Sequence, residues 1–280
     1  MKLGTVNRDG QTAAFIQTDT ETRYFPGVRD VGELLSIDGW QGLEGVPGTA
    51  PDPEDLAAPV LRPGKVICVG LNYHGHAAEV GKQAPTYPTL FSKVSTALVG
   101  PRDHIQLPAL SERYDWEAEL TVVIGRTARR VEPVHALDHV IGYTVLNDLS
   151  VRDWQNRTSE WFQGKNFDRS TPVGPVIVTS DSFDPTDGYA IETVVNGMVE
   201  QSGITSDLIF GIPELISYIS QFMTLEPGDL IATGTPAGVG FVRTPPVFLA
   251  SGDRMVTRIA GIGELINEIS IEDPTPTSGR

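Results

Sequence analysis

The chain is poor in several features that would each mark a class of protein. It has a single cysteine, Cys68, so no internal disulfide can form. Cys68 lies within Lys65-Val-Ile-Cys-Val-Gly70, with no electropositive partner evident, and reads as a small buried strand residue rather than a nucleophile. No apolar run reaches bilayer length, and Met1-Lys-Leu-Gly-Thr-Val-Asn-Arg-Asp-Gly10 lacks the apolar stretch of a signal peptide. A cytoplasmic protein without a membrane span is expected. Cations are in deficit: 21 Lys and Arg face 36 Asp and Glu, a net charge of −15. That field repels phosphate backbones and anionic lipid, which sets nucleic acid and membranes aside as partners. It also repels an anionic substrate, so any such ligand needs local cations or a metal to hold it. No repeat of 20 to 50 residues is visible. The glycine-rich stretch Thr233-Gly-Thr-Pro-Ala-Gly-Val-Gly240 lacks the Gly-Lys-Ser/Thr ending of a nucleotide P-loop, which argues against ATP.

What remains is a globular composition, 40% hydrophobic and 20% charged over 280 residues, enough to bury a large core. Residues 1–60 differ from the rest. Two alternating runs, 3–6 and 13–17, flank the turn Asn7-Arg-Asp-Gly10 and predict a hairpin; 30–36 predicts a short helix; the proline-rich stretch 45–54 then leads to Leu61-Arg-Pro-Gly64. The expected division is a small N-terminal α+β domain over 1–60, a catalytic domain over 61–273 and a flexible tail over 274–280. Beyond residue 60, β-branched runs at 66–69, 120–124, 140–146, 173–178, 190–195, 230–233 and 255–259 predict strands, and Asn196-Gly197 predicts a type I′ hairpin. Ile212, Leu215, Ile216, Ile219 and Phe222 recur at helical spacing, so 212–223 predicts a helix whose stripe is core, with Pro213 in its first turn. The fold class is α+β and β-rich, without the strand–helix alternation of a doubly wound sheet.

Chemistry concentrates in a few places. Glu117 and Glu119, in Asp115-Trp-Glu-Ala-Glu-Leu-Thr-Val-Val-Ile124, are two residues apart on a predicted strand, so their carboxylates leave the same face. Asp148 follows another apolar run and can add a third. Three hard oxygen ligands suit Mg²⁺ or Mn²⁺ and leave positions open for water and substrate. His76 precedes Glu79 by three residues, neighbours on a helix, and an imidazole steered by a carboxylate can act as a base; His74 competes for that role. Lys165, in Trp161-Phe-Gln-Gly-Lys-Asn-Phe167, allows two readings: an ammonium that meets a substrate oxyanion, or a stem lying on the aromatic rings with its head in water. Arg152 and Gln155 can line the same cavity as Asp148 if that segment is helical. Residues 233–240 offer backbone N–H groups and two hydroxyls to an anion, or form only a tight loop. The polar, proline-containing segment 81–88 reads as a lid edge or as an ordered surface loop.

In this order, Val69-Gly-Leu-Asn-Tyr73 with His76 and Glu79, Glu117-Ala-Glu119, Asn147-Asp148, Lys165 and Thr233-Gly-Thr-Pro236 resemble the fumarylacetoacetate hydrolase family, over approximately residues 60–270. The resemblance implies a mixed β-sandwich roll, a homodimer, metal ligands at Glu117, Glu119 and Asp148, a His76–Glu79 dyad, a catalytic Lys165, and substrate contacts from Gln155 and Thr235; Arg152, by its place after Asp148, and Gly234, in the glycine-rich turn, join them as candidate substrate contacts. Where the founding hydrolase has a further aspartate ligand, this chain has Asn72 and Tyr73, as its smaller bacterial relatives do. Asp115 shares the strand face of Glu117 but falls outside the family's ligand pattern.

The activity expected first is Mg²⁺- or Mn²⁺-dependent hydrolysis of a C–C bond in a 2,4-dioxo acid. His76 would activate a water to attack the C4 carbonyl of an acylpyruvate and Lys165 would stabilise the alkoxide, releasing pyruvate and a carboxylic acid. The same enolate chemistry serves decarboxylation of oxaloacetate or an oxo-dioate, or isomerisation of a 2-hydroxydienoate. A metal-dependent dicarboxylate-binding scaffold without turnover is the reading from another class.

Overall fold

The computed structural model describes residues 1–273; the expected flexible tail, 274–280, lies outside the described residues. A 12-stranded mixed sheet runs, along its main path, through Val46–Gly48, Thr22–Phe25, Gln11–Gln17, Lys2–Arg8, Thr171–Thr179, Val140–Asn147, Ala118–Ile124, Leu230–Ala232, Val66–Gly70 and Thr89–Lys93. Most neighbours are antiparallel, but Leu230–Ala232 runs parallel to Val66–Gly70. A five-stranded sheet comprises Met198–Ile204, Ala190–Val195, Arg254–Ile259, Gly263–Ile271 and Ile105–Leu107, and a two-stranded ladder joins Tyr114–Asp115 to Ser150–Val151. The architecture is the sheet-rich α+β one that the residue patterns predict.

Ala118–Ile124 is buried along its whole length, which explains its nearly unbroken apolar sequence. Its alternate residues serve two cores. Leu120, Val122 and Ile124 pack with Leu215, Ile216 and Ile219 of the helix Ile212–Phe222. Val123, of opposite parity, packs with Cys68, Leu230 and the N-terminal residues Val31, Leu34 and Trp40. The first 60 residues therefore contribute to that second core, and their strand Lys2–Arg8 pairs with Thr171–Thr179 at Leu3↔Ile177.

Local signals are realised where they were strong. The N-terminal hairpin closes through Asp9 and Gly10, both at positive φ (52° and 80°), and Asn196 and Gly197 do the same (50° and 82°). Asp30 caps the helix Val31–Ser36, its carboxylate accepting from the Glu33 amide at 2.7 Å. One expectation needs correction. Phe222 is not core: as the last residue of the helix it is 58% exposed, and it stacks edge-on against Tyr218 instead. No helix among the described residues is long and apolar enough to cross a membrane.

Candidate active site

The two-residue strand period delivers Glu117 and Glu119 to one face, and the ladder then sets the third acid beside them. Ala118 pairs with Asn147, and the Asp148 amide donates to the Glu117 carbonyl at 2.8 Å, so Asp148 leaves the neighbouring strand at the same level. The amides at this strand entry are met by side chains: Asn147 Oδ1 accepts from Glu117 N–H at 3.1 Å, and Gln201 Oε1 from Ala118 N–H at 2.9 Å. One carboxylate oxygen from each of Glu117, Glu119 and Asp148 lies within 4.8 Å of the other two, and all three residues are buried.

Buried charge has to be compensated, and here it nearly is. Lys165 Nζ bridges Glu117 Oε2 at 2.7 Å and Asp148 Oδ2 at 2.6 Å, while Lys93 Nζ takes Asp148 Oδ1 at 2.6 Å and the Leu149 carbonyl at 3.2 Å. The Arg152 guanidinium forms ion pairs with Asp115 at 2.8 Å and Glu117 at 2.7 Å. Burial alone would raise the Glu117 carboxyl, but Lys165 and Arg152 outweigh it and hold the group well below the usual range. Glu119 differs. Burial, then the charges of Asp148 and Glu117, push it well above the usual carboxylate range; its favourable hydrogen bond comes from the Gly234 amide at 2.8 Å.

The four buried acids Asp115, Glu117, Glu119 and Asp148 thus face three buried cations, Lys93, Arg152 and Lys165, and Glu119 is the one left over. A divalent ion held by Glu117, Glu119 and Asp148 fits this donor set: the ligands are hard oxygens, and the ion brings positive charge to the one acid that has no cation partner.

His76 and Glu79 share the short helix His74–Glu79. His76 Nδ1 lies 3.0 Å from Glu79 Oε2; a carboxylate only accepts, so Nδ1 carries the proton and Nε2 is left basic. Glu79 Oε1 accepts from the Gly238 amide at 2.9 Å, which fixes the carboxylate that steers the ring. His74 is exposed and does not line the cavity.

A cavity of about 480 Å³ brings together His76, Glu117, Glu119, Arg152, Lys165 and Thr235, with Gln155 beside them. The segment after Asp148 does turn helical, as Arg152–Gln155, and Arg152 donates to Gln155 Oε1 at 2.9 Å. Phe91, Trp161 and Phe241 supply apolar wall, and Lys82, at the start of the irregular stretch 81–88, stands at its border.

Two readings change with the coordinates in view. The Lys165 head is neither in water nor free: it is 2% exposed, and the anions it meets are Glu117 and Asp148. The glycine-rich turn does bind anions, but they are the protein's own carboxylates. The amides of Gly234, Gly238 and Gly240 go to Glu119, Glu79 and Asp115 respectively, at 2.8, 2.9 and 2.7 Å. Gly234 therefore braces a carboxylate, whereas a contact with substrate was expected of it.

Three residues escaped the sequence reading. Lys93 carried one signal, a charged residue ending the apolar run Thr89-Leu-Phe-Ser-Lys93. Asp115 shared the parity of Glu117, yet nothing in sequence foretold that its carboxylate would hold Arg152 and the amides of Gly240 and Phe241. Gln201 comes from the other sheet and had no local signal.

Comparison with known proteins agrees with this constellation. The family model described as fumarylacetoacetate (FAA) hydrolase, C-terminal, matches residues 65–270. A human mitochondrial oxaloacetate tautomerase is 46% identical over 214 residues, 76% of this chain and 68% of the relative. Among solved structures, a fumarylacetoacetate hydrolase from psychrophilic Exiguobacterium antarcticum aligns with a TM-score of 0.86 at 38% identity, covering 97% of this chain and 100% of that one. A 2-hydroxyhepta-2,4-diene-1,7-dioate isomerase from Mycobacterium marinum aligns at 0.75 and 36% identity, covering 97% and 99%. With a family match over most of its length, carried by the very strands and loops that build the acidic cavity, this chain belongs to the fumarylacetoacetate hydrolase family.

Proposed function

We propose that this protein is a divalent-metal-dependent enzyme that moves a proton at the carbon next to the oxo group of a 2-oxo dicarboxylate, interconverting the keto and enol forms of oxaloacetate or isomerising a related 2-hydroxydienoate. The observation that carries the reading is the buried carboxylate set Glu117, Glu119 and Asp148, two of whose members line the same cavity as His76 of the His76–Glu79 pair. The names of the relatives point the same way, one an oxaloacetate tautomerase and another a hydroxydienedioate isomerase.

Glu117, Glu119 and Asp148 would hold the ion. When bound, a Mg²⁺ or Mn²⁺ ion supplies Lewis-acid polarisation of an oxo group, which acidifies the neighbouring C–H bond. The protein's own residues do the rest. Nε2 of His76 accepts the proton and returns it, and Glu79, pinned by Gly238, favours the transient imidazolium. Lys93 and Lys165 hold Asp148 and Glu117 in place between turnovers. Arg152, Gln155 and Thr235 give the substrate's carboxylates partners in a site that the whole-molecule charge would otherwise make repulsive.

Hydrolysis of an acylpyruvate is the second reading, favoured by one feature: the dyad that can deprotonate carbon can equally deprotonate water. Decarboxylation of oxaloacetate would draw on the same polarised oxo group. One enzyme batch separates them. With Mg²⁺ or Mn²⁺ present, proton transfer predicts accelerated loss of the oxaloacetate enol absorbance without CO₂ or pyruvate; stoichiometric CO₂ would mean decarboxylation, and pyruvate from an acylpyruvate would mean hydrolysis. No turnover of any of these, with ligand affinity intact in His76→Ala, would support the binding scaffold.

A further inference from the structure

Gln201 reaches from the five-stranded sheet into the seam between the Glu117–Glu119 strand and the glycine-rich turn, and is 1% exposed. Its amide makes all four of the hydrogen bonds a primary amide can make. Oε1 accepts from the Ala118 amide and the Thr193 hydroxyl, each at 2.9 Å; Nε2 donates to Thr235 Oγ1 at 2.9 Å and to the Pro236 carbonyl at 3.0 Å. The orientation of the amide is forced. A backbone N–H can only donate, which fixes Oε1 toward Ala118, and a carbonyl can only accept, which fixes Nε2 toward Pro236.

The consequence falls on Thr235. Its oxygen accepts a hydrogen bond from Gln201, so its own proton must point elsewhere, and among the described residues that proton has no protein acceptor. Thr235 is 4% exposed and lines the cavity. The turn's other hydroxyl, that of Thr233, is already committed to the Leu120 carbonyl at 2.9 Å.

We infer that Gln201 is a positioning residue that sets the Thr235 hydroxyl as a hydrogen-bond donor toward a carboxylate oxygen of the substrate. The inference rests on the reading of the site as one for oxo dicarboxylates. With one lone pair taken from behind by an amide donor, the Thr235 hydroxyl cannot turn its proton back toward Gln201 and has it to give forward into the cavity. The device selects for an anionic oxygen at that point of the cavity, and Gln201 itself never touches the ligand.

The test uses Mn²⁺-loaded full-length protein and malonate, an unreactive dicarboxylate, with binding measured by calorimetry alongside oxaloacetate turnover. Thr235→Val should weaken malonate binding and raise KM by about tenfold or more, the worth of a hydrogen bond to a charged acceptor, and Thr235→Ser should restore both. Gln201→Glu, whose second oxygen would draw the Thr235 proton inward, should reproduce the loss while Mn²⁺ affinity stays at the wild-type level. Combined with Thr235→Val it should add little. Should Gln201→Glu not fold, Gln201→Met takes its place, since it also removes the Nε2 donor, and the two Thr235 variants carry the test by themselves.

Losses that multiply in the double variant overturn the inference, as do wild-type malonate binding in Thr235→Val, a parallel fall in Mn²⁺ affinity, and a wild-type protein that does not bind malonate. Failure of the functional reading looks different: malonate binding ranks the variants as expected while the wild type turns over no oxaloacetate.

Discussion

Glu119 and Gly234 are joined by a 2.8 Å hydrogen bond from the glycine amide to Oε2, and among the described residues no cation touches that carboxylate. Its neighbours Glu117 and Asp148 each have two cation contacts. The site therefore holds one buried carboxyl group without a cation partner, whose charged form a metal ion would stabilise.

Glu119→Gln should separate stability from metal binding. In metal-free protein the amide replaces a carboxyl whose charged form burial, Asp148 and Glu117 already disfavour, and it can still accept from Gly234, so the melting temperature should hold or rise. The rise in melting temperature that Mn²⁺ gives the wild type should vanish in the variant. A clear loss of metal-free stability would contradict this assignment of the unpartnered carboxyl.

Gly234→Ala should act on the same carboxylate from behind. Gly234 has φ +101°, and a Cβ there would lie 2.9 Å from Asn72 Cβ and 3.1 Å from the Val69 carbonyl. Backbone strain of this kind costs on the order of 1–3 kcal/mol. The displaced amide should also lower Mn²⁺ affinity, which calorimetry would register; unchanged affinity would show that Gly234 does not brace Glu119.

Lys93→Met tests the other side of the cluster. Asp148 loses one of two ammonium partners while remaining fully buried, a defect worth about 3–5 kcal/mol in denaturant unfolding. Mg²⁺ should recover more stability in this variant than in the wild type, because it supplies charge to the same carboxylate.

Glu79→Gln keeps the shape of the dyad but removes the carboxylate that faces His76 Nδ1. It should lower kcat by about tenfold to a hundredfold with metal affinity unchanged. His76→Ala should lose at least as much, and losses from the two changes should not multiply, because the residues work as one base.

Much of this site was legible in the chain. The two-residue spacing of Glu117 and Glu119 fixed their common face as soon as the segment was read as a strand, and the three-residue spacing of His76 and Glu79 did the same on a helix. Both are local periodicities, which sequence carries directly. Lys93 and Gln201 escaped for the converse reason. They meet Asp148 and Ala118 across 55 and 83 residues of chain, through pairings that only the assembled sheets create. Asp115 shows parity misleading by itself: it follows the alternation of Glu117 but belongs to the ladder with Ser150–Val151, where its carboxylate serves Arg152. The helix stripe was read correctly except at its last residue, Phe222, which is exposed.

The most direct measurement follows the enol absorbance of oxaloacetate with protein that has been stripped by chelator and then given back Mg²⁺ or Mn²⁺. The account predicts a fall to the uncatalysed rate on stripping and full recovery on return of the ion, with no recovery in Glu119→Gln. A wild-type rate in excess chelator would contradict it.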